Sequence, residues 1–404
     1  MKSLIISNFP VGPKFNGGSM TVWGIISYFV EKNKDLVLYL TCSTNQKNSS
    51  QYEECLSILK KNNLEYKIFF YKEKKINKII KILNFIASIL FGHPHFFFPN
   101  HISLKKEIEN KIKDFNFDKV ICYHFDALST CYDIESLNLM LGDLIHEPRK
   151  SRRELLKNNS FSTLINYFEE VAGFRVMKKL TKKSSFIGFF SNNYANIFSH
   201  KVKKSHYIKT PIVDFEKTYH ESNLDEKLNF LMIGHLKGTV TISSLVFLEK
   251  LIRKYEDNLN SLNVRFNIVG GNRLNEINNY LLTKHKLIKF YGESFNITEF
   301  FGKNQFLLVP NEIDIGIRVR IITGLSYGAI IITHKSNLKG IPELENGDNC
   351  LLFSNEEELI KIFKKIKENE IDILKIKKNA VKTFSENFYY KKSVSEILEK
   401  VNNA

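Results

Sequence analysis

Two arginines set two positions apart, between a strand-like run and a helix-like run, are the most pointed chemical feature of this 404-residue chain. They close the segment Pro310-Asn311-Glu312-Ile313-Asp314-Ile315-Gly316-Ile317-Arg318-Val319-Arg320. An apolar run ends at Val309, a loop follows, and a helical pattern opens near residues 316–318. The first turn of a helix leaves backbone N–H groups unpaired. With two guanidinium groups these can hold a diphosphate and offset charge on a departing phosphate. A cation at that end opposes the helix dipole, so the pair reads as a ligand-binding feature, with a solvated helix start as the plainer alternative. Residues two apart do not share a helix face, so one arginine is expected to point inward.

Glycine turns supply the second chemical signal. Asn16-Gly17-Gly18-Ser19 follows the first apolar run and precedes the helical stretch holding Trp23. Ile233-Gly234-His235-Leu236-Lys237-Gly238 and Val269-Gly270-Gly271 repeat the arrangement further along. Glycine lets backbone approach a ligand closely, and a helix start favours an anion. None of the three is a full dinucleotide fingerprint or a P-loop: the third glycine and the Gly-Lys-Ser/Thr are missing. A plain strand–helix turn accounts equally well for the first. Ligands collect at the carboxyl ends of strands in open α/β sheets, so the second and third turns are expected to converge on one crevice.

Lys72, Lys74, Lys75, Lys78 and Lys81 precede or interleave with Ile79, Ile80, Ile82, Leu83, Phe85, Ile86, Ile89 and Leu90. A basic amphipathic helix of this kind suits an anionic membrane interface, and a core helix with a solvated basic face fits the pattern as well. His93, His95, His124 and His146 fall near predicted loop ends. No histidine or carboxylate spacing suits a metal, and no Gly-x-Ser-x-Gly elbow suggests a hydrolase, so neither a metal nor a cofactor is expected.

The elements that must position these residues alternate along the chain. Strands are predicted at 3–7, 36–41, 66–70, 118–123, 185–190, 229–233, 265–269, 287–291, 305–309 and 329–333. Helical patterns lie at 19–32, 50–62, 103–114, 243–255, 273–284, 318–327 and 356–367, with a last helix at about 388–401. Such alternation implies parallel sheets with crossover helices, and it occurs twice with a break near 205–228. The length suits more than one domain, and 43% hydrophobic with 25% charged residues is a globular balance. A formal net charge of +16 favours anionic partners. Five cysteines without a C-x-x-C pair suit a reducing compartment. The amino terminus lacks an apolar signal core, and no run approaches the roughly 18 apolar residues that span a bilayer.

The stretch from Gly316 to Gly328, followed by Ala329-Ile330-Ile331-Ile332-Thr333, resembles the Gly-x-Arg-x-Lys-helix-Gly-x-Pro-Val-Val segment of retaining GT-B glycosyltransferases of the GT4-like, group 1 type. Lys339-Gly340-Ile341-Pro342 and Glu345-Asn346-Gly347-Asp348-Asn349-Cys350-Leu351-Leu352 resemble that family's downstream loop and strand approach. Gly92-His93-Pro94, Phe117-Asp118-Lys119-Val120-Ile121 and the charged helix after Asp143-Leu144-Ile145-His146-Glu147 are looser matches to its amino-terminal domain. The resemblance implies two Rossmann-like domains facing a cleft. These would be an acceptor-side domain at 1–208, with the carboxyl-terminal helix 386–404 packing back on it, and a nucleotide-sugar domain at 209–385.

It also implies roles. Gly17 and Gly18 would lie near the donor phosphates, with Gly234, His235, Lys237 and Gly270 on the same ligand. Arg318 would bind the diphosphate, with Arg320 at the usual lysine position. Backbone from Asp314 through Gly316 to Ile317 would approach the sugar, and His124 and His146 would sit on the acceptor side. The family's two glutamates eight residues apart correspond here to Ile315 and Thr323, and His235 stands where many members carry arginine. These departures leave the nucleotide open and bring a cytidine-monophosphate donor into range. The resemblance further implies sugar transfer to a lipid-linked or cell-envelope glycan acceptor. It also implies peripheral attachment at the inner face of the membrane through Lys74, Lys75, Lys78 and Lys81. A sugar-nucleotide epimerase shares the architecture. A basic nucleic-acid binder is the alternative from another class, but the basic residues are spread and no nucleic-acid module appears, so no nucleic acid is expected as partner.

Overall fold

The computed structural model describes residues 2–403 apart from 9, 14–15, 33, 48, 74–75, 141–147, 158–159, 200–204, 214–226, 237, 272–284, 295–296, 304–305 and 314–315. Two compact units divide the chain: Met1–Ile208 with Val394–Ala404, and Lys209–Ser393.

In the first unit the strands are β1 Ser3–Ser7, β2 Leu36–Ser43, β3 Glu65–Tyr71, β4 Lys119–Tyr123, β5 Ser136–Met140, β6 Ser184–Phe189 and β7 Ser205–Tyr207. They form one parallel sheet in the order β3-β2-β1-β4-β5-β6-β7. Every residue of β1 and β2 is buried, as befits parallel strands covered by helices on both faces. The second unit holds β8 Leu228–Ile233, β9 Val264–Val269, β10 Ile288–Gly292, β11 Phe306–Val309, β12 Ile330–His334 and β13 Cys350–Phe353. These also run parallel, in the order β10-β9-β8-β11-β12-β13. Strand order reverses between β1 and β4 and again between β8 and β11. At such points the outgoing connections part to opposite faces and leave a crevice at the carboxyl ends.

The core of the second unit centres on Phe230, whose ring lies 5.8 Å from Phe266, 5.2 Å from Phe306 and 4.2 Å from Phe363. Phe363 arrives on the helix Glu356–Lys367, which buries Leu359, Ile360, Phe363 and Ile366 at helical spacing. Asn355 caps that helix by accepting from the Glu358 amide, and glutamates in the first turn and lysines in the last complement the helix dipole. Truncating Phe363 to alanine would cost about 3–5 kcal/mol in such a site.

The predicted helices at 19–32, 50–62, 103–114, 243–255, 318–327 and 356–367 correspond to Gly17–Glu31, Ser50–Lys61, Lys105–Phe115, Thr239–Ser261, Val319–Ser326 and Glu356–Lys367. The pattern at 273–284 lies outside the described residues. Strands β5 and β7 were not anticipated: both are short and carry polar residues, and only their neighbours in the sheet hold them extended. The helix Phe161–Leu180 carries no clear amphipathic period, because its apolar residues spread around the whole circumference.

Candidate functional site

At the carboxyl edge of the second sheet, Arg320 occupies the first turn of the helix Val319–Ser326 and reaches back to β8. Its Nη1 donates to the Ile233 carbonyl, and its Nη2 lies 3.5 Å from Thr241 Oγ1. Gly234 leaves room for that guanidinium, since a Cβ there would sit 2.7 Å from Nη1 and 2.5 Å from Thr241 Oγ1. Gly270, one strand over, would drive a Cβ into the Gly234 carbonyl oxygen, so the β8 and β9 turns nest only as glycines. Gly234 N–H donates to Val269 O at 3.1 Å, and Gly270 N–H donates to Gly292 O at 2.8 Å.

Arg318 is 7% exposed, and its Nη2 donates to Ile313 O at 3.1 Å. Burial, together with the Arg318 charge, pulls the Arg320 guanidinium down to about 10, well below the usual arginine range, and among the described residues no acid offsets the shift. Two cations that repel each other at one sheet edge are complementary to a multiply charged anion.

One expectation changes here. The helix opens at Val319, not at 316–318, and Arg318 is its cap with φ −99° and ψ 86°. Helix-face geometry therefore does not separate the two arginines, and both turn into the protein. Gly316 adopts a left-handed φ of 61°, a conformation that favours glycine, and Ile317 is buried. Thr323 is buried and its hydroxyl donates to Val319 O at 3.0 Å, so its hydrogen is committed within the helix. His235 is exposed, and its carbonyl accepts from the Gly238 amide at 2.9 Å. Lys237, Asp314 and Ile315 lie outside the described residues.

At the carboxyl edge of the first sheet, Gly17 and Gly18 form the first turn of the helix Gly17–Glu31, capped by Asn16, whose Oδ1 accepts from the Ser19 amide at 2.9 Å. His124 follows β4 with φ 74°, an uncommon conformation for a residue with a Cβ and one that gathers at functional sites. Beside it stands a group that spacing did not reveal. Asn8 Nδ2, just past β1, donates to Asp126 Oδ2 at 2.7 Å. The His101 ring packs 4.8 Å from the Tyr71 ring at the end of β3. Burial depresses the His101 pKa, with the Asp126 charge opposing. Burial and then Asp126 push the Tyr71 phenol up to about 12. This edge offers neutral donors and acceptors around one carboxylate, a set suited to hydroxyl groups. His146 lies outside the described residues.

The basic segment forms the helix Lys78–Phe91, and its apolar residues face out. Ile79, Ile80, Ile82, Leu83, Ile86, Leu90 and Phe91 are between 45% and 73% exposed, which rules out a core helix. Lys78 and Lys81 are exposed too, while Lys74 and Lys75 lie outside the described residues. The helix is nonetheless anchored at its far end. Arg175 on Phe161–Leu180 donates to the Ile89 carbonyl and, at 3.3 Å, to Leu90 O. Gly92 closes the helix in a left-handed turn against the Arg175 backbone. Phe161, Leu164, Ile165 and Phe168 on the supporting helix are exposed as well.

Among the described residues no helix is long and apolar enough to cross a membrane, and no cluster of three or more histidine, cysteine or acidic residues could hold a metal ion. Two cavities of about 620 and 550 Å³ in the first unit involve Ser3, Asp35, Asp118 and Lys119. They open at the amino ends of β1, β2 and β4, opposite the edge where ligands of such sheets collect.

No family model and no curated protein matches the chain. Solved structures do. A glycosyltransferase from Rickettsia africae ESF-5 superposes with a TM-score of 0.66 over 100% of this chain and 98% of its own, at 14% identity. Anabaena HepE, solved in complex with UDP-glucose, gives 0.65 over 100% of both chains at 12% identity. The lipopolysaccharide outer core galactosyltransferase WaaB, in its apo form, gives 0.60 over 100% and 99% at 13% identity. The chain therefore has the GT-B fold, built on two Rossmann-like units. At these identities the likeness establishes the fold alone, and what the molecule does must be argued from its own residues.

Proposed function

We propose that this protein is a glycosyltransferase that moves a sugar, with retention of configuration, from a nucleotide-sugar donor to a cell-envelope glycan or glycolipid. The observation that carries the reading is the pair of turned-in arginines, Arg318 and Arg320, at the glycine-lined edge of β8 and β9. Two fixed cations in a partly dry site stabilise charge that grows on a departing nucleoside phosphate, and they do so without reorganising during the reaction. Gly234 makes room for the Arg320 guanidinium and Gly270 lets the two turns nest, so the cation is held at the backbone edge where a diphosphate would bind. In the first unit, Asp126, Asn8 and His124 would receive acceptor hydroxyls. Positioning of donor and acceptor then supplies most of the catalysis, in keeping with a site that shows no carboxylate pair of the glycosidase kind among the described residues. The neighbours HepE and WaaB support this reading, the first being solved with UDP-glucose and the second being a lipopolysaccharide galactosyltransferase.

The helix Lys78–Phe91 favours a place at the membrane. Exposed isoleucines and leucines beside Lys78 and Lys81 suit insertion into the headgroup layer of an anionic bilayer, where a lipid-linked acceptor resides.

The test is a thermal-shift series with UDP, GDP, CDP and CMP, followed by transfer assays with the matching sugar nucleotides. A ligand that binds only the folded state raises its melting temperature with concentration, so the correct base stands out. Arg318→Ala should abolish most of that shift. A protein that no nucleotide stabilises sinks the proposal, and release of an epimerised sugar nucleotide without acceptor would assign the site to an epimerase.

A further inference from the structure

We propose that Asn337 is a positioning residue for sugar transfer, acting through Asn311 on the Ile313 carbonyl that also receives Arg318. The inference rests on the reading of Arg318 as a donor-phosphate ligand and adds the device that aims it.

The loop after β11 begins at Pro310, and Asn311 behind it is fully buried. Its Nδ2 donates to Ile313 O at 3.1 Å and lies 3.3 Å from Asn337 Oδ1. Arg318 Nη2 donates to the same Ile313 carbonyl, also at 3.1 Å. A carbonyl oxygen has two lone pairs, so this one is fully engaged, and the loop backbone and the guanidinium are held in one relation.

Asn337 anchors the arrangement to the neighbouring strand. It lies in the turn Lys335–Lys339 after β12, and its Nδ2 donates to Thr333 Oγ1 at 2.9 Å and to His334 O at 3.2 Å. Thr333 Oγ1 donates in turn to Val309 O at 3.1 Å, and Ser336 Oγ donates to Asn311 O at 2.9 Å. The ends of β11 and β12 are thus joined by side chains that all lead to Ile313 and Arg318.

Stability alone does not call for such a network. Asn311 Oδ1 is buried without a hydrogen-bond partner among the described residues, an arrangement that lowers stability relative to apolar packing. Departures from full satisfaction gather where function requires a fixed geometry. The geometry here is the direction of one guanidinium. Its charge would attract a diphosphate from many orientations, whereas stabilising the departing phosphate requires one.

The experiment compares full-length wild type, Asn337→Ala and Asn337→Gln, the last keeping both an acceptor oxygen toward Asn311 and N–H donors toward Thr333 and His334. The donor is the sugar nucleotide whose base gives the largest thermal shift. Asn337→Ala should lower kcat about 10- to 100-fold, the scale of a small misplacement near the reacting centre. Donor KM and the Kd of the bare nucleoside diphosphate should change less than about threefold, because the charge stays nearby. Asn337→Gln should recover at least a third of the lost turnover, and it serves as the folded probe if the alanine variant does not fold. A kcat within twofold of wild type in a folded Asn337→Ala protein overturns the proposal. So does a glutamine variant as slow as the alanine one, or a loss confined to melting temperature. Wild-type protein that binds no nucleotide is a separate result: it removes the donor reading itself, and this inference with it.

Discussion

The carboxyl edges of the two sheets share a topology and differ in chemistry. Each has a reversal of strand order, and each has glycines at the turns beside it. The second edge turns two guanidinium groups inward, and among the described residues no acid offsets the depressed pKa of Arg320. The first edge gathers a carboxylate, an amide, an imidazole and a phenol around Asn8 and Asp126. One βα plan can therefore make an anion site or a hydroxyl site, depending on a few side chains at strand ends. Fold likeness to other proteins cannot tell these apart, whereas residue chemistry can.

Arg320→Met should separate the two edges most sharply. Turnover and nucleoside-diphosphate affinity should each fall about 10²- to 10³-fold, the cost of one preorganised charge-stabilising contact. A variant that keeps its affinity for the nucleotide would break the contrast. The pH dependence sharpens the same point. In the folded protein Arg320 holds its proton more weakly than it does unfolded, with a pKa of about 10. The unfolded chain thus binds more protons above about pH 10, and stability contributed by this group rises as pH climbs through and past that value. Nucleotide affinity should run the other way, weakening above about pH 10 as the cation is lost. Isothermal titrations across that range check both signs.

Gly270→Ala should have the next largest effect, and it tests packing, not charge. A methyl against the Gly234 backbone cannot be relieved by a side-chain rotation. Overpacking of this kind should cost about 3 kcal/mol and lower the melting temperature by about 10 °C, read by calorimetry. An unchanged melting temperature would mean that the two turns do not nest as described. Replacing Lys78 and Lys81 together with glutamine removes two surface charges worth about 1 kcal/mol each, so binding to phosphatidylserine vesicles should drop about thirtyfold. Sedimentation that does not change would leave the exposed apolar face to some other partner. Asp126→Asn should have the smallest effect, raising acceptor KM about tenfold while donor KM stays put, the scale of one hydrogen bond to a charged group. A rise in donor KM instead would show that both edges serve the same ligand.

The second edge was readable because its signals are local. Strand, glycine turn and helix start follow one another within fifteen residues at 229–239 and 306–320, so apolar runs and punctuation place Gly234, Arg318 and Arg320 at a sheet edge. Most strands of both sheets, though not β5 or β7, are legible for the same reason. The direction of Arg318 was not, since it depends on a cap residue leaving helical geometry and on Asn311 and Asn337 reaching the same loop.

The first edge lay beyond such reasoning. Asn8 and Asp126 are 118 positions apart and meet because β1 and β4 pair with Ser7 opposite Tyr123. The helix Lys78–Phe91 shows the boundary in a single element. Its alternation of lysine with isoleucine and leucine is a property of the chain, and amphipathic helix formation follows from it. Which side faces water is decided elsewhere, by Arg175 and Gly92 holding its end on Phe161–Leu180 and leaving the apolar residues outside. Residue order determined periodicity, charge and the glycine turns, because those act over a few bonds or one helical turn. Register, burial and the convergence of distant polar groups belong to the tertiary structure, because they depend on which elements become neighbours.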